Sequence, residues 1–217
     1  MKRIKHLLFD LDGTLTDPKE GITKSIEYAL NKFDITVEHL DQLIPYIGPP
    51  LFDSFIQLNA FNEENAHLAV GYYRERYREL GIFENKVIPG IPELLEKLSN
   101  QGYLMYVATS KPTVFAEQIV EHYQLGTYFQ HIGGSHLDGT RSRKQEVIEY
   151  VLTHNTISSE QALMIGDREH DIFGAKACGV KSVGVTFGYG SELELRDAGA
   201  DYIVHQVKDF EKLITTF

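Results

Sequence analysis

Short apolar runs that stop abruptly at polar residues, with helix-patterned segments between them, leave this chain few folds to choose from. Ile4-Lys-His-Leu-Leu-Phe9 ends at Asp10-Leu-Asp-Gly-Thr-Leu-Thr16. Tyr103-Leu-Met-Tyr-Val-Ala108 runs into Thr109-Ser-Lys-Pro112, and Ala162-Leu-Met-Ile-Gly166 into Asp167. Ser182-Val-Gly-Val-Thr186 and Tyr202-Ile-Val204 give two further short candidates. Each has strand length and meets a turn former or a polar group. Between them, Pro92 suits the first turn of a helix that Gly102 follows, and Pro112 opens a segment with Phe115, Ile119, Val120 and Tyr123 at helical spacing. Val147, Ile148, Val151 and Leu152 mark another. Strand and helix in alternation predict a parallel sheet covered on both faces.

Residues 17 to about 82 break the rhythm. Ile22, Ile26, Ala29, Leu30 and Phe33 predict one amphipathic helix, and Leu68, Ala69, Tyr72, Arg76 and Leu80 another, with no strand between. The predicted organisation is a discontinuous α/β core, residues 1–15 and 83–217, interrupted by a helical insertion over 16–82.

Charge and composition narrow the function. With 21 Lys and Arg against 31 Asp and Glu, the formal net charge is −10, which argues against a nucleic acid polymer as partner. No run of 18 apolar residues is present, and the basic N-terminus meets Asp10 and Asp12 too early for a signal-peptide core. A cytoplasmic protein without membrane attachment is the expectation. Cys178 is the only cysteine and reads as a small buried hydrophobe. The nine histidines show no ligand spacing, so no zinc site is expected.

Three predicted strands end in polar residues: Asp10 and Asp12, Thr109 and Ser110, and Asp167. Ligands of open parallel sheets bind beyond the carboxyl ends of the strands, so these residues should share one crevice. In extended chain, residues i and i+2 point the same way, and Asp10 and Asp12 would repel unless a cation lies between them or one is protonated. Either remedy suits phosphoryl transfer, with one carboxylate attacking phosphorus and the other protonating the leaving oxygen. A bare Asp-x-Asp is otherwise a turn after a strand; the apolar run before the pair and the Gly-Thr behind it favour chemistry. Asp167 and Asp171 stand four apart, a spacing that places both on one face of a helix start, where Asp171 also reads as a cap. Glu169 competes with Asp171, and Arg168 reads as the partner of a nearby acid. Lys144, with Arg141 and Arg143, sits at a predicted helix start, unfavourably for the helix dipole unless an anion offsets it. Arg141, Arg143 and Lys111 are rivals to Lys144, though each taken alone reads first as a solvated surface group. A phosphate site in so acidic a chain needs local positive charge from a divalent metal and one or two lysines.

Asp10-Leu-Asp-Gly-Thr14 resembles the first signature of the haloacid dehalogenase-like hydrolase superfamily. Thr109 is similar to its second signature, Lys144 to its third, and Gly166-Asp167-Arg-Glu-His-Asp171 to its fourth; all four occur in order across essentially the whole chain. The resemblance implies a Rossmann-like three-layer α/β core with a mainly parallel sheet, plus an inserted all-α cap domain. It implies Asp10 as a nucleophile forming an aspartyl-phosphate and Asp12 as general acid, then base. It implies Gly13, Thr109, Ser110 and Lys144 around the phosphoryl group. Mg²⁺ would be held by Asp10, the Asp12 carbonyl and Asp167, with Asp171 acting through water, an oxygen shell suited to a hard cation.

An insertion after the first signature resembles the phosphoglycolate phosphatase-like and β-phosphoglucomutase-like branch, in which Ile47, Gly48 and Pro49 would belong to a substrate-facing cap loop; the plain alternative is a helix connection. Asp12 argues against a dehalogenase, and the absence of a lysine from Gly48-Pro-Pro50 argues against a phosphonate hydrolase. Gly134-Ser-His-Leu-Asp-Gly139 and Phe187-Gly-Tyr-Gly-Ser191 are similar to a nucleotidase-like subgroup. The expectation is a Mg²⁺-dependent phosphatase of a small phosphorylated metabolite, monomer or weak dimer, phosphoglycolate phosphatase-like first. A 5′-nucleotidase, a sugar-phosphate mutase and a non-catalytic phosphate-binding regulatory module are the alternatives.

Overall fold

A computed structural model describes residues 3–214. The first strand, β1 (His6–Phe9), is followed by two short strands that pair with each other, β2 (Thr16–Asp17) and β3 (Lys86–Val87). The chain divides into two compact units, one formed by residues up to Asp17 and from Val87 onward, the other by Pro18–Lys86. Extended chain persists to Asp17 and resumes at Lys86, which moves the divisions away from the expected 15/16 and 82/83.

The Pro18–Lys86 unit is helical: α1 (Lys19–Asn31), a 3-10 segment Leu40–Tyr46, α2 (Leu51–Asn59), α3 (Glu63–Arg76) and a π-helical turn Tyr77–Gly81. Its core joins Ile22, Ile26, Ala29 and Leu30 of α1 to Ala66, Ala69, Val70 and Tyr73 of α3, all buried. Gly21 lets α1 touch the backbone of the π turn, since a Cβ there would overlap the Gly81 carbonyl. Helix α2 was not expected. Its nine residues are too few to show a clear period, and only Ser54 and Phe55 are buried.

The larger unit carries a six-stranded sheet of β1, β4 (Leu104–Pro112), β5 (Phe129–Ser135), β6 (Ala162–Gly166), β7 (Lys181–Val185) and β8 (Tyr202–Val204). Its order is β5-β4-β1-β6-β7-β8, with every neighbouring pair parallel. The remaining helices are α4 (Ile91–Asn100), α5 (Thr113–His122), α6 (Lys144–His154), α7 (Glu169–Ala177), α8 (Glu192–Ala198) and α9 (Val207–Ile214). Alternate residues of β1 serve opposite faces. Leu8 joins Tyr106, Ala108 and Met164 beneath Val147, Ile148, Val151 and Leu152 of α6. The Phe9 ring meets Phe210 of α9 at 6.1 Å and Phe129 at 6.3 Å. Burying one such side chain contributes about 1.5–3 kcal/mol. This is the predicted α/β core. Edge strand β5 was not expected, because Phe129-Gln-His-Ile-Gly-Gly-Ser135 lacks an apolar run. Gly134 is required there, since a Cβ would collide with the Lys111 carbonyl and lie 2.9 Å from the Thr113 nitrogen.

Chain order reverses at β1, which has β4 on one side and β6 on the other. Phe9 is level with both Val107 and Ile165, so the residues that follow all three strands emerge at one edge of the sheet. No helix among the described residues is long and apolar enough to cross a membrane.

Candidate active site

Asp10, Asp12, Lys111, Lys144, Asp167 and Asp171 are the buried charged side chains of the described residues, and all belong to the larger unit. Asp10 continues β1, its N–H donating to the Ile165 carbonyl at 2.8 Å. The chain then coils tightly, the Leu11 carbonyl accepting from the N–H groups of Thr14, Leu15 and Thr16 at 3.3, 2.9 and 3.0 Å. Gly13, at φ +79°, lies where a Cβ would overlap the Asp167 carboxylate.

Asp167 follows the last residue of β6. Its carboxylate accepts from the Tyr189 N–H at 2.7 Å and from the Thr14 hydroxyl at 3.5 Å. Gly188 has no room for a Cβ against the same carboxylate, nor Gly190 against the Asp167 carbonyl. Asp167 thus precedes α7 rather than sharing a helix face with Asp171, a correction to the spacing argument; the strand end, not the helix, brings it in. Asp171 is in the first turn of α7 and accepts from the Arg168 N–H at 3.1 Å through Oδ2. Capping and site geometry coexist in one side chain, because Oδ1 faces Lys144.

Lys144 opens α6. Its Nζ lies 2.8 Å from Oδ1 of Asp10 and 2.8 Å from Oδ1 of Asp171, and donates to the Ala108 carbonyl at 3.0 Å. Helix α7 approaches this residue closely at Gly174, where a Cβ would stand 3.0 Å from Lys144 Cγ. The other bases of that segment turn elsewhere. Arg141 stacks 3.7 Å above the Tyr150 ring and donates to the Gly134 carbonyl at 2.8 Å, while Arg143 is exposed. Arg168 pairs with Glu194 at 2.9 Å, as expected of it; Glu194 also accepts from the Glu169 N–H at 3.0 Å.

Thr109 and Ser110 lie within β4, which continues past Ala108 to Pro112 rather than ending there. The Thr109 hydroxyl accepts from the Lys111 N–H at 3.2 Å, and the Ser110 carbonyl accepts from the Ser135 hydroxyl at 2.8 Å. Lys111 departs most from expectation. It is buried and its ammonium pairs with Oδ2 of Asp12. Ile47, Gly48 and Pro49 follow the 3-10 segment of the helical unit, with Ile47 buried, Gly48 at φ +108° and Pro49 half-buried.

Asp10 and Asp12 therefore each have a lysine, Lys144 and Lys111, where the sequence called for one shared cation or a proton. Four carboxylates against two ammoniums leave this buried group two charges short of neutrality. Burial drives the Asp167 carboxyl well above its ordinary range, with the Asp171 and Asp10 charges adding to the push. Burial raises Asp171 to about 6 against the opposing Lys144, and raises Asp12 against the opposing Lys111. Burial alone would lower the Lys144 ammonium, but Asp10 and Asp171 together carry it upward.

A divalent cation fits this arrangement. Asp10, Asp167 and Asp171 each offer a carboxylate oxygen, and the three lie within 4.8 Å of one another. Oδ1 of Asp10 and Oδ1 of Asp171 are buried and receive no aligned hydrogen bond. An all-oxygen, anionic donor set suits Mg²⁺ and suits soft transition metals poorly.

Sequence reasoning ranked Lys111 behind Lys144 and missed Tyr189 and Glu194. The position of Lys111 directly after Thr109-Ser110 was the available signal. Tyr189 acts on Asp167 through a backbone N–H, which leaves no mark on residue type.

The chain as a whole is similar to known proteins. The family model described as haloacid dehalogenase-like hydrolase matches residues 7–185. A 5′-nucleotidase of Pseudomonas aeruginosa is 51% identical over 194 residues, covering 89% of this chain and 88% of that protein. A phosphoglycolate phosphatase of Aliivibrio fischeri is 26% identical over 213 residues, covering 94% of each. A crystal structure of a predicted phosphatase from Clostridium acetobutylicum superposes with a TM-score of 0.98 at 51% identity, covering all of both chains. The chain belongs to the haloacid dehalogenase-like hydrolase family. Within that family it is a phosphatase.

Proposed function

We propose that the protein is a Mg²⁺-dependent phosphomonoester hydrolase that works through an aspartyl-phosphate on Asp10. The observation that carries this reading is the buried trio Asp10, Asp167 and Asp171 bridged by Lys144. Asp10 is the nucleophile, its side chain fixed by Lys144 beside the end of β1. Attack forms the Asp10 oxygen–phosphorus bond as the bond from phosphorus to the leaving oxygen breaks, and Asp12 delivers a proton to that oxygen. Asp12 then takes a proton from the water that hydrolyses the acyl phosphate, so both groups end as they began. Thr109, Ser110 and the backbone at Gly13 hold the phosphoryl oxygens, and Lys144 offsets their charge. Asp10, Asp167 and Asp171, with the Asp12 carbonyl, would hold Mg²⁺, which when bound supplies charge stabilisation for the phosphoryl group.

For the substrate we infer a nucleoside 5′-monophosphate ahead of phosphoglycolate. The sequence alone put phosphoglycolate first; the 51% relative named a 5′-nucleotidase against the 26% relative named a phosphoglycolate phosphatase supports the opposite order. We assign the Pro18–Lys86 unit the part of a cap that selects substrates, with Ile47, Gly48 and Pro49 in the selecting loop. EDTA should stop turnover and added Mg²⁺ should restore it. A panel of phosphorylated metabolites ranked by kcat/KM should then place nucleoside 5′-monophosphates above phosphoglycolate. Activity that survives chelation would defeat the metal assignment, and a panel led by phosphoglycolate would reverse the substrate order.

A further inference from the structure

Lys111 has the features of machinery rather than of surface. An ammonium is rarely taken out of water without a partner, and this one pairs with Oδ2 of a carboxylate that is itself buried. The segment that carries it is pinned on several sides. Its N–H donates to Thr109 Oγ1, the preceding carbonyl is held by Ser135, and its own carbonyl fills the space that Gly134 leaves open in β5. Thr113 extends the same lattice, donating to the Ser135 carbonyl at 3.2 Å and accepting from the Gly134 N–H at 3.1 Å. A flexible side chain is thus mounted on a fixed base, which is the requirement for holding a second group in one orientation.

Asp12 is the group held. Its two carboxylate oxygens are unequal, since Oδ2 carries the lysine while Oδ1 is buried and has no hydrogen-bond partner among the described residues. The geometry points to Lys111 as a positioning residue that occupies Oδ2 of Asp12 and so reserves Oδ1 as the atom that gives and takes the transferred proton. The inference rests on Asp12 being the acid–base group. The logic is that of a base oriented by a third residue, with a cation here locking the oxygen that does not react. In the first step the proton leaves Oδ1 for the departing oxygen as the phosphorus–oxygen bond breaks. In the second, a water proton returns to Oδ1 as the water oxygen bonds to phosphorus and the Asp10–phosphorus bond breaks. Lys111 keeps its own proton throughout and does not touch the reacting atoms in either step.

Such a residue has a signature that a purely structural one lacks, because its worth depends on how badly the leaving group needs a proton. The test is the single-turnover rate of leaving-group release, with Mg²⁺, for a nucleoside 5′-monophosphate and for p-nitrophenyl phosphate, whose phenolate departs without a proton. Lys111→Met should slow release from the nucleotide about 10²-fold and from the nitrophenyl ester less than about tenfold. Lys111→Gln, which keeps a donor for Oδ2 and serves if the Met variant does not fold, should recover part of the nucleotide rate. In an Asp12→Asn background the Lys111→Met change should add less than about a twofold loss, since nothing remains to position. Equal losses on both substrates, or a full further loss beside Asn at position 12, would place Lys111 on the phosphoryl group itself and overturn the proposal. Wild-type rates in the Met and Gln variants would overturn it as well. If Asp12→Asn alone shows no difference between the two leaving groups, the role of Asp12 falls first and this inference falls with it.

Discussion

The two units of this molecule handle charge in opposite ways. In the unit built on the sheet, four aspartates and two lysines are buried, and two of the aspartate oxygens around Lys144 receive no aligned hydrogen bond. In the helical unit, Arg76 grips Glu84 through both terminal nitrogens at 2.7 and 2.9 Å and reaches Ser25 at 3.2 Å, with Lys24 joining Glu20 at 2.6 Å and Glu84 at 3.3 Å. Each charged partner keeps some contact with solvent, and the buried polar side chains of Pro18–Lys86 are the uncharged Thr23, Ser25, Ser54 and Asn85. One unit stores unbalanced charge where water cannot relieve it, and the other spends its charges on ordinary surface pairing. Stored charge is costly to fold and useful to a reaction that must bind an ion and an anion.

Breaking the larger unit at its centre should give the largest effect. Asp10→Asn should lower kcat on p-nitrophenyl phosphate by at least about 10⁴, since a neutral amide cannot attack phosphorus, while the fold survives. Near-wild-type turnover would remove Asp10 from its role. A smaller loss is expected from Gly188→Ala, whose Cβ would press on the Asp167 carboxylate. The Mg²⁺ concentration for half-maximal activity should rise about 10- to 100-fold, and an unchanged Mg²⁺ dependence would show that Asp167 tolerates displacement.

The pH dependence of stability sharpens the contrast further. Asp171 sits at about 6 in the folded protein against 3.8 ordinarily, so the fold binds protons that the unfolded chain has lost in that window. Metal-free stability should therefore fall as pH rises from about 4 through about 6, because Asp171 must then ionise where burial disfavours its charge. Mg²⁺ should raise the melting temperature more at pH 7.5 than at pH 5, where protons already occupy its place. Equal shifts at both values would argue against these carboxylates as the ligands. Smallest of all, Arg76→Ala in the helical unit should cost about 1 kcal/mol in denaturant unfolding, the scale of a partly exposed ion pair, with the same response to Mg²⁺ as wild type.

The fold of the larger unit was legible wherever a buried strand ran into a polar end: β1, β6, β7 and β8, and β4 as far as Ala108. It was illegible at β5, whose glycines serve backbone contacts with Lys111 and Thr113 instead of a hydrophobic pattern. Of the site, Asp10, Asp12, Asp167 and Lys144 stood out because residue type, strand ends and the family resemblance agreed. Lys111 did not, since a lysine after a strand is surface or interior according to how far the strand continues, and β4 runs on to Pro112. Nor did the support from Tyr189, since any residue could donate that N–H. Helix α2 hid behind the short, proline-rich stretch before it.

As the proposed nucleophile, Asp10 carries the phosphoryl group in transit. Acid quenching of the enzyme during turnover with substrate and Mg²⁺, followed by mass spectrometry of the peptides, tests it directly. The predicted result is a phosphoryl adduct on the peptide containing Asp10, sensitive to hydroxylamine and missing from Asp10→Asn and from samples with EDTA. An adduct on another residue, or steady turnover in the Asn variant, would contradict it.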